Sequence, residues 1–299
     1  MNDIPHQSIF VREFLQFFSQ TQLKVFVDGT LGAGGHSYEI LKAHPEIELW
    51  IGIDQDTSAL ELSKKRLEPL LEGKKAHFLH ANFAQGPSWF EEHFPGQKID
   101  GVFMDLGVSS MQLDQAERGF SFRFEGPLDM RMNTDQDLTA SEIVNTWPTS
   151  KLEKIFIEWG EEPKARRAAQ MIQQFRQKQR IQTTQQLCQA VDGLWPRGQK
   201  HPATRIFQAL RIAVNDELNV LSESIPHWLH LLSSGGRMGA ISFHSLEDRM
   251  VKLAFREASK DKQAWNLLTP KPLEPTREEM RENKRSRSAK LRFIERSAS

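Results

Sequence analysis

Short apolar runs recur through the first hundred residues, at KVFV (24–27), LWIGI (49–53), AHFLH (76–80) and GVFM (101–104). Between them lie stretches with helical spacing, such as SYEILKAHP and TSALELSKKRLEPLL. Continuous apolar runs alternating with amphipathic helices predict a parallel sheet buried on both faces. The rhythm stops after Asp105. Residues 111–135 are rich in charge and glycine with little strand or helix pattern, and five helical segments follow: LTASEIVNTW, SKLEKIFIEWG, ARRAAQMIQQF, TTQQLCQAV and a long run from about Ala203 to Leu232. An interruption of that run is expected near Pro226, and Thr183 with Gln186 reads as a capping box. GGRMGAISF (235–243) then restores an apolar strand, followed by the helical HSLEDRMVKLAFREA. The polar stretch 262–288, with Pro270, Pro272 and Pro275, is expected to cross the surface as an extended loop. In the closing AKLRFIER, Leu291 and Phe293 alternate with Lys290 and Arg292, the period of a half-buried strand. No internal repeat or coiled-coil heptad is visible. The pattern predicts an α/β, Rossmann-like sheet drawn from residues 1–110 and 211–299, with a mainly helical insert over 111–210.

Ligands of such sheets bind beyond the carboxyl ends of the strands, which directs attention to FVDGTLGAGGHS (26–37). Its glycines keep the backbone after the first strand bare, so that something can lie against it. Gly32 and Gly34 supply the first two glycines of GxGxxG, but Ser37 stands at the third. Asp54 follows Gly34 at the end of the second run, where an acid can accept both hydroxyls of a ribose. Capping of the next helix is the alternative, and Asp56 and Thr57 also precede that helix. Asp105 ends the fourth run, and Gly107 lets the chain turn so that Ser109 and Ser110 line the crevice. No G-x-S-x-G elbow surrounds either serine, and turn capping competes with a catalytic role. A crevice carboxylate such as Asp105 seldom goes without a partner. His36 and His244 sit near these acids in sequence pattern, but no compact metal-ligand spacing is present and no metal is expected. His244 reads as an active-site wall or hydrogen-bonding residue.

Composition narrows the class. The 299 residues are 38% hydrophobic, with 39 basic and 39 acidic side chains and a net charge of zero. Cys188 is the single cysteine, which excludes a disulfide framework and suits a reducing cytoplasm. No run approaches 18 apolar residues, so no membrane partner is expected. Zero net charge argues against nucleic acid, but the distribution reverses the argument: residues 164–180 hold six Lys or Arg and no acid, and 284–292 hold five and no acid. Both blocks suggest a polyanion.

Five blocks carry a resemblance: DGTLGAGGHS, DLGVSSMQLDQAERGFSFRFEGPLDMRM, HPATRIFQALRIAVNDEL, GGRMGAISFHSLEDR and NKRSRSAKLR. In this order, from about His6 to the C terminus, they resemble the bacterial S-adenosylmethionine-dependent methyltransferases that modify the N4 amine of a cytosine in the decoding region of small-subunit ribosomal RNA. Lys284 and Met111 stand where that family usually has proline, away from the expected cofactor contacts. The resemblance implies a class I methyltransferase sheet with a helical RNA-binding insert. It implies S-adenosyl-L-methionine held by Gly34, Gly35, His36, Asp54, Phe83, Asp105 and Gln112. Asp105, Ser109, Ser110 and His244 are the catalytic candidates, and Arg166, Arg167, Arg205, Arg285 and Arg287 are the candidates for RNA backbone. The acceptor it implies is ribosomal RNA within the assembled small subunit; a homodimer stays open. Three rival classes also stay open. A nicotinamide dehydrogenase would lack its third glycine at Ser37; a methyltransferase acting on DNA or protein is closer chemically, though the amino-DNA enzymes typically show D/N-P-P-Y/F where this chain has Asp105-Leu106-Gly107-Val108; and a non-catalytic RNA-binding factor needs only the basic blocks and the fold.

Overall fold

The computed structural model describes residues 8–195, 201 and 203–298, except for the side chain of Ser110. The chain divides into two compact units, one made of the chain up to Gly107 and from Leu218 onward, the other of Val108–Glu217.

The first unit opens with α1 (Val11–Phe18), β1 (Val25–Asp28), α2 (Gly35–Ala43), β2 (Leu49–Asp54), α3 (Thr57–Leu71), β3 (Lys75–His80), α4 (Gly86–His93) and β4 (Ile99–Asp105). The second holds α5 (Ser110–Asp114), α6 (Ala140–Thr146), α7 (Thr149–Glu158), α8 (Ala165–Arg176), α9 (Thr184–Ala190) and α10 (Thr204–Asn215). The first unit resumes with α11 (Glu217–Leu231), β5 (Leu232–Ser242), α12 (Ser245–Ala258), β6 (Trp265–Leu267), α13 (Arg277–Glu282) and β7 (Lys290–Arg296).

The sheet runs β3-β2-β1-β4-β5-β7-β6. β1 to β5 are parallel, while β7 lies antiparallel between β5 and β6. Both faces are covered, which is why the strands read as unbroken apolar runs. One face packs Phe14, Phe18, Ile40, Leu60 and Leu67 against Phe26, Trp50 and Phe293. The other packs Phe90, Ile225, Trp228 and Phe255 against Val27, Ile51 and Met104. The second unit has its own apolar core, with Ile143, Phe156, Ile172, Leu187 and Leu210 at its centre.

Three expectations need correction. Pro226 does not interrupt the long helical run; it sits inside α11, whose buried Ile225, Trp228 and Leu229 hold it against the sheet. The break falls at Asp216, where φ is +50°. The Asn215 side chain fixes it, donating to the carbonyls of Met130 and Arg211 at 2.8 and 2.9 Å and accepting the Met132 N–H at 2.8 Å. A boundary at 210 therefore passes through α10, whose Ile206, Leu210 and Val214 all belong to the insert's core. The stretch 262–288 is also not a plain loop. It contains the three-residue edge strand β6 and helix α13, from which Glu279 accepts the N–H of Phe10 at 2.6 Å. Phe10 has φ +56° just before α1, a strained conformation that this long-range bond helps to hold.

Candidate active site

The acids of interest close β1, β2 and β4, around the point where the strand order reverses. Asp28 ends β1 and is buried. Its Oδ2 accepts the Ser37 hydroxyl at 2.7 Å and its Oδ1 accepts the Thr30 N–H at 3.2 Å. Ser37 in turn accepts the Trp50 indole N–H at 3.2 Å. The residue that breaks the third glycine of the dinucleotide pattern thus anchors the turn to the sheet. Burial pushes Asp28 up to about 6.

Gly32 and Gly34 have φ of +51° and +73°, a region that only glycine enters without strain. A Cβ on Gly34 would stand 3.2 Å from Ser63 and Leu67 of α3, so the turn rests directly on that helix. Gly35 opens α2 and presents His36 inward. His36 is buried between Phe14 and Phe103 with Nε2 2.9 Å from the Ile9 carbonyl. That nitrogen carries the hydrogen, leaving the Nδ1 lone pair exposed toward Asp105. Burial lowers the imidazole to about 4, so it is neutral at physiological pH.

Asp54 does not cap α3. Asp56 performs that task, accepting the Ser58 N–H at 3.1 Å. Asp54 instead accepts the Gly32 N–H at 2.7 Å with Oδ2 and the Asp56 N–H at 2.9 Å with Oδ1. Each oxygen retains further acceptor capacity, and burial raises its pKa to about 6. Phe83 follows β3 and starts a short helical turn capped by Asn82. Its carbonyl accepts the Trp228 indole N–H at 3.1 Å, which fixes the backbone behind the ring.

Asp105 ends β4 with its N–H donated to the Thr30 hydroxyl at 2.5 Å. Its Oδ1 is buried with no hydrogen-bond partner, and Oδ2 lies 3.7 Å from His36 Nδ1. Burial, followed by the charges of Asp28 and Glu247, pushes Asp105 up to about 8. His244 caps α12, its Nδ1 accepting the Glu247 N–H at 3.3 Å. Glu247 accepts the Phe243 N–H at 2.7 Å and lies 3.0 Å from His244 Nε2. Asp28 and Glu247 escaped the sequence reading. The capping-box spacing of HSLE was the available signal for Glu247, and the position of Asp28 between the strand and its glycines was the signal for the other.

In the second unit, Ser109 is the N-cap of α5: its hydroxyl accepts the Gln112 N–H at 3.2 Å, and the Gln112 amide oxygen accepts the Ser109 N–H at 3.1 Å. The side chain of Ser110 lies outside the described part of the structure. Arg166 and Arg167 are exposed on α8. Arg205, on α10, lies 3.9 Å from buried Glu162, and Lys164 covers the Trp195 ring at 4.0 Å from its centroid. Arg287 is exposed and Arg285 half-buried in the turn before β7, in the other unit.

A parallel five-stranded run extended by an antiparallel seventh strand between the fifth and sixth is the sheet of the Rossmann-like class I methyltransferases, and the strand-end acids sit at that sheet's ligand-binding edge. A model of the MraW methylase family matches residues 3–297, and the chain belongs to that family. It is 47% identical to the ribosomal RNA small subunit methyltransferase H of Protochlamydia amoebophila, over 97% of each chain. It is 43% identical to the protein of the same name from Halothermothrix orenii, over 98% of this chain and 99% of that one. Among solved structures, an rRNA methylase from Streptococcus thermophilus matches 99% of each chain at 10% identity and a TM-score of 0.46, a likeness too loose to add to the strand order.

Proposed function

We propose that this protein transfers a methyl group from S-adenosyl-L-methionine to the exocyclic N4 of a cytosine in the decoding region of small-subunit ribosomal RNA, acting in the cytoplasm on the assembled small subunit. The observation that carries the reading is the Asp105 carboxylate, buried with Oδ1 unsatisfied beside a glycine turn that admits close backbone approach. A buried acceptor of this kind is costly unless a ligand completes it.

The residues fit the cofactor. Asp54 is held by two backbone N–H groups with acceptor capacity left for ribose hydroxyls. Gly34, Gly35 and His36 offer bare backbone at a helix start for the methionine end, Phe83 supplies an aromatic wall for adenine, and Asp105 is the first unit's remaining contact; the resemblance adds Gln112 to the cofactor residues. Bound there, the cofactor would supply a methyl group on a sulfonium sulfur that departs as a neutral thioether, so the protein's task is alignment and exclusion of water. Cytosine N4 is a poor nucleophile because its lone pair is delocalised into the ring. Acceptors that hydrogen-bond the amine favour tetrahedral geometry at nitrogen and collect its proton once the bond has formed. Asp105 or neighbouring backbone carbonyls play part of this role as hydrogen-bond acceptors, of which only ionised Asp105 can also take the proton, and Ser109, Ser110 and His244 are the further candidates for framing the base. The target nucleotide leaves its stack to reach such a crevice. Arg166, Arg167 and Arg205, with Arg285 and Arg287, hold RNA backbone and fix register without reading sequence.

The test is methyl incorporation from labelled cofactor into small subunits that lack the modification, followed by nucleoside mass analysis. One new N4-methylcytidine is expected. Incorporation at another nucleoside would overturn the acceptor, and cofactor binding without incorporation into any ribosomal RNA would overturn the substrate class. Failure to bind the cofactor would favour a non-catalytic RNA-binding factor.

A further inference from the structure

We infer that the outward face of α12, carrying Lys252 and Arg256, continues the basic turn Lys284–Ser288 into one surface for RNA backbone, on the unit that bears the strand-end acids. The inference rests on the ribosomal RNA acceptor proposed above and adds a course for that RNA along a helix outside the insert.

The placement follows from how α12 packs. It buries Leu246, Val251 and Phe255, the last two in the core over the sheet. Helical periodicity then puts Arg249, Lys252, Leu253 and Arg256 on the opposite side, where Lys252 is half-buried and the other three are exposed. At 1.5 Å per residue, positions 249 to 256 span about 10 Å along the axis. The helix begins directly after β5, and β7 begins beside the end of β5, where Ser242 pairs with Lys290. The first turn of α12 and the turn Lys284–Ser288 therefore both lie at the edge of the sheet where the strand-end acids sit. Asp248 ties α12 to the start of β7, accepting from Arg292 Nε at 2.7 Å and from Lys290 Nζ at 3.4 Å.

This face carries surplus positive charge. Of the acids on α12, Glu247 and Asp248 are buried, and Glu257 is held by Lys260 at 2.6 Å. Asp248 takes two cations and so leaves one positive charge in excess. Among the described residues, Lys252, Arg256, Lys284 and Arg287 have no ion-pair partner. Lys252 and Arg256 stand four apart on the helix, a spacing at which like charges repel, and a polyanion relieves that repulsion. α13, before the turn in the chain, exposes Glu278 and Glu282 beside Arg277 and Arg281, so the surplus lies toward α12. Leu253, 54% exposed among the cations, is the one large apolar side chain exposed on the face. A single apolar residue is too little for the centre of a protein interface, whereas RNA backbone is held through successive phosphates by Lys and Arg.

Filter binding of the full-length protein to small ribosomal subunits that lack the modification, across a salt series, tests the surface. Lys252→Gln with Arg256→Gln removes two charges and keeps most of each side-chain stem. The slope of log affinity against log salt is expected to fall by about 1 to 2, with S-adenosylmethionine affinity unchanged and the melting temperature not lowered. Lys64→Gln with Lys65→Gln, an exposed pair on α3 at the other end of the sheet, controls for net charge and is expected to leave the slope as it is. p-Benzoylphenylalanine in place of Leu253 is expected to cross-link the RNA on irradiation. An unchanged slope in the α12 variant, an equal fall in the α3 variant, or no RNA cross-link from position 253 overturns the inference, and binding by the parent protein then leaves the acceptor reading intact. Absence of binding by the parent at low salt overturns that reading itself.

Discussion

Asp105 is retained at a cost to the free protein. Its pKa of about 8 lies above the ordinary 3.8, so the folded chain holds a proton that the unfolded chain releases. The stability contributed by this protonated group is whole below about pH 4 and is lost as pH rises toward 8. Asp105→Asn removes that loss. In cofactor-free protein, thermal unfolding should show the variant gaining on the parent from pH 5 to pH 8, by about 1–3 kcal/mol at the upper end. A gap that does not change with pH would mean that the carboxyl is ionised in the fold. Gly34 makes the opposite case, where the native residue is the stable one. With φ at +73° and α3 3.2 Å from any added Cβ, Gly34→Ala is expected to cost about 1–2 kcal/mol. It should also weaken cofactor binding, because the turn would shift. Melting curves and ligand titration of the same sample separate the two effects.

Elements differ in how openly the sequence announces them. β1 to β5 were legible because burial on both faces leaves an apolar run, and α9 was legible because its capping box is local: Thr183 accepts the Gln186 N–H at 3.2 Å and its own N–H reaches the Gln186 side chain at 3.1 Å. The break between α10 and α11 was misplaced because its determinant is distant in sequence. Asn215 is tied to Met130 and Met132 of a loop more than eighty residues earlier, and Met130 itself sits at φ +64°. Asn215→Ala strands the Met132 N–H and the Met130 carbonyl, and is expected to destabilise the second unit by about 2–3 kcal/mol. Hydrogen exchange should show the amides of 128–133 losing protection first; unchanged protection there would mean that the loop is held by Arg118 and Gln136 instead. β6 and α13 escaped notice for a similar reason. A three-residue edge strand has no periodicity to read, and it exists because β7 offers its free edge.

For the whole molecule, zero net charge conceals basic segments on both compact units. If α8 holds RNA backbone, Arg166→Ala with Arg167→Ala should weaken binding to small-subunit RNA and reduce the slope of log affinity against log salt by about 1 to 2. Cofactor affinity should not change. An unaltered slope, measured by filter binding across a salt series, would remove α8 from the interface. The sequence by itself determined the succession of β1 to β5 with the helices between β1 and β4, the helical character of the insert, and most of the strand-end positions where chemistry collects, because local burial pattern, turn glycines and caps are written in neighbouring residues. Only the tertiary structure decided the charge states and partners at those positions. Asp28, Asp105, His36 and Glu247 come from four separate elements, and whether a carboxyl is capped, paired or left holding a proton depends on distances across the sheet's edge that no local pattern encodes.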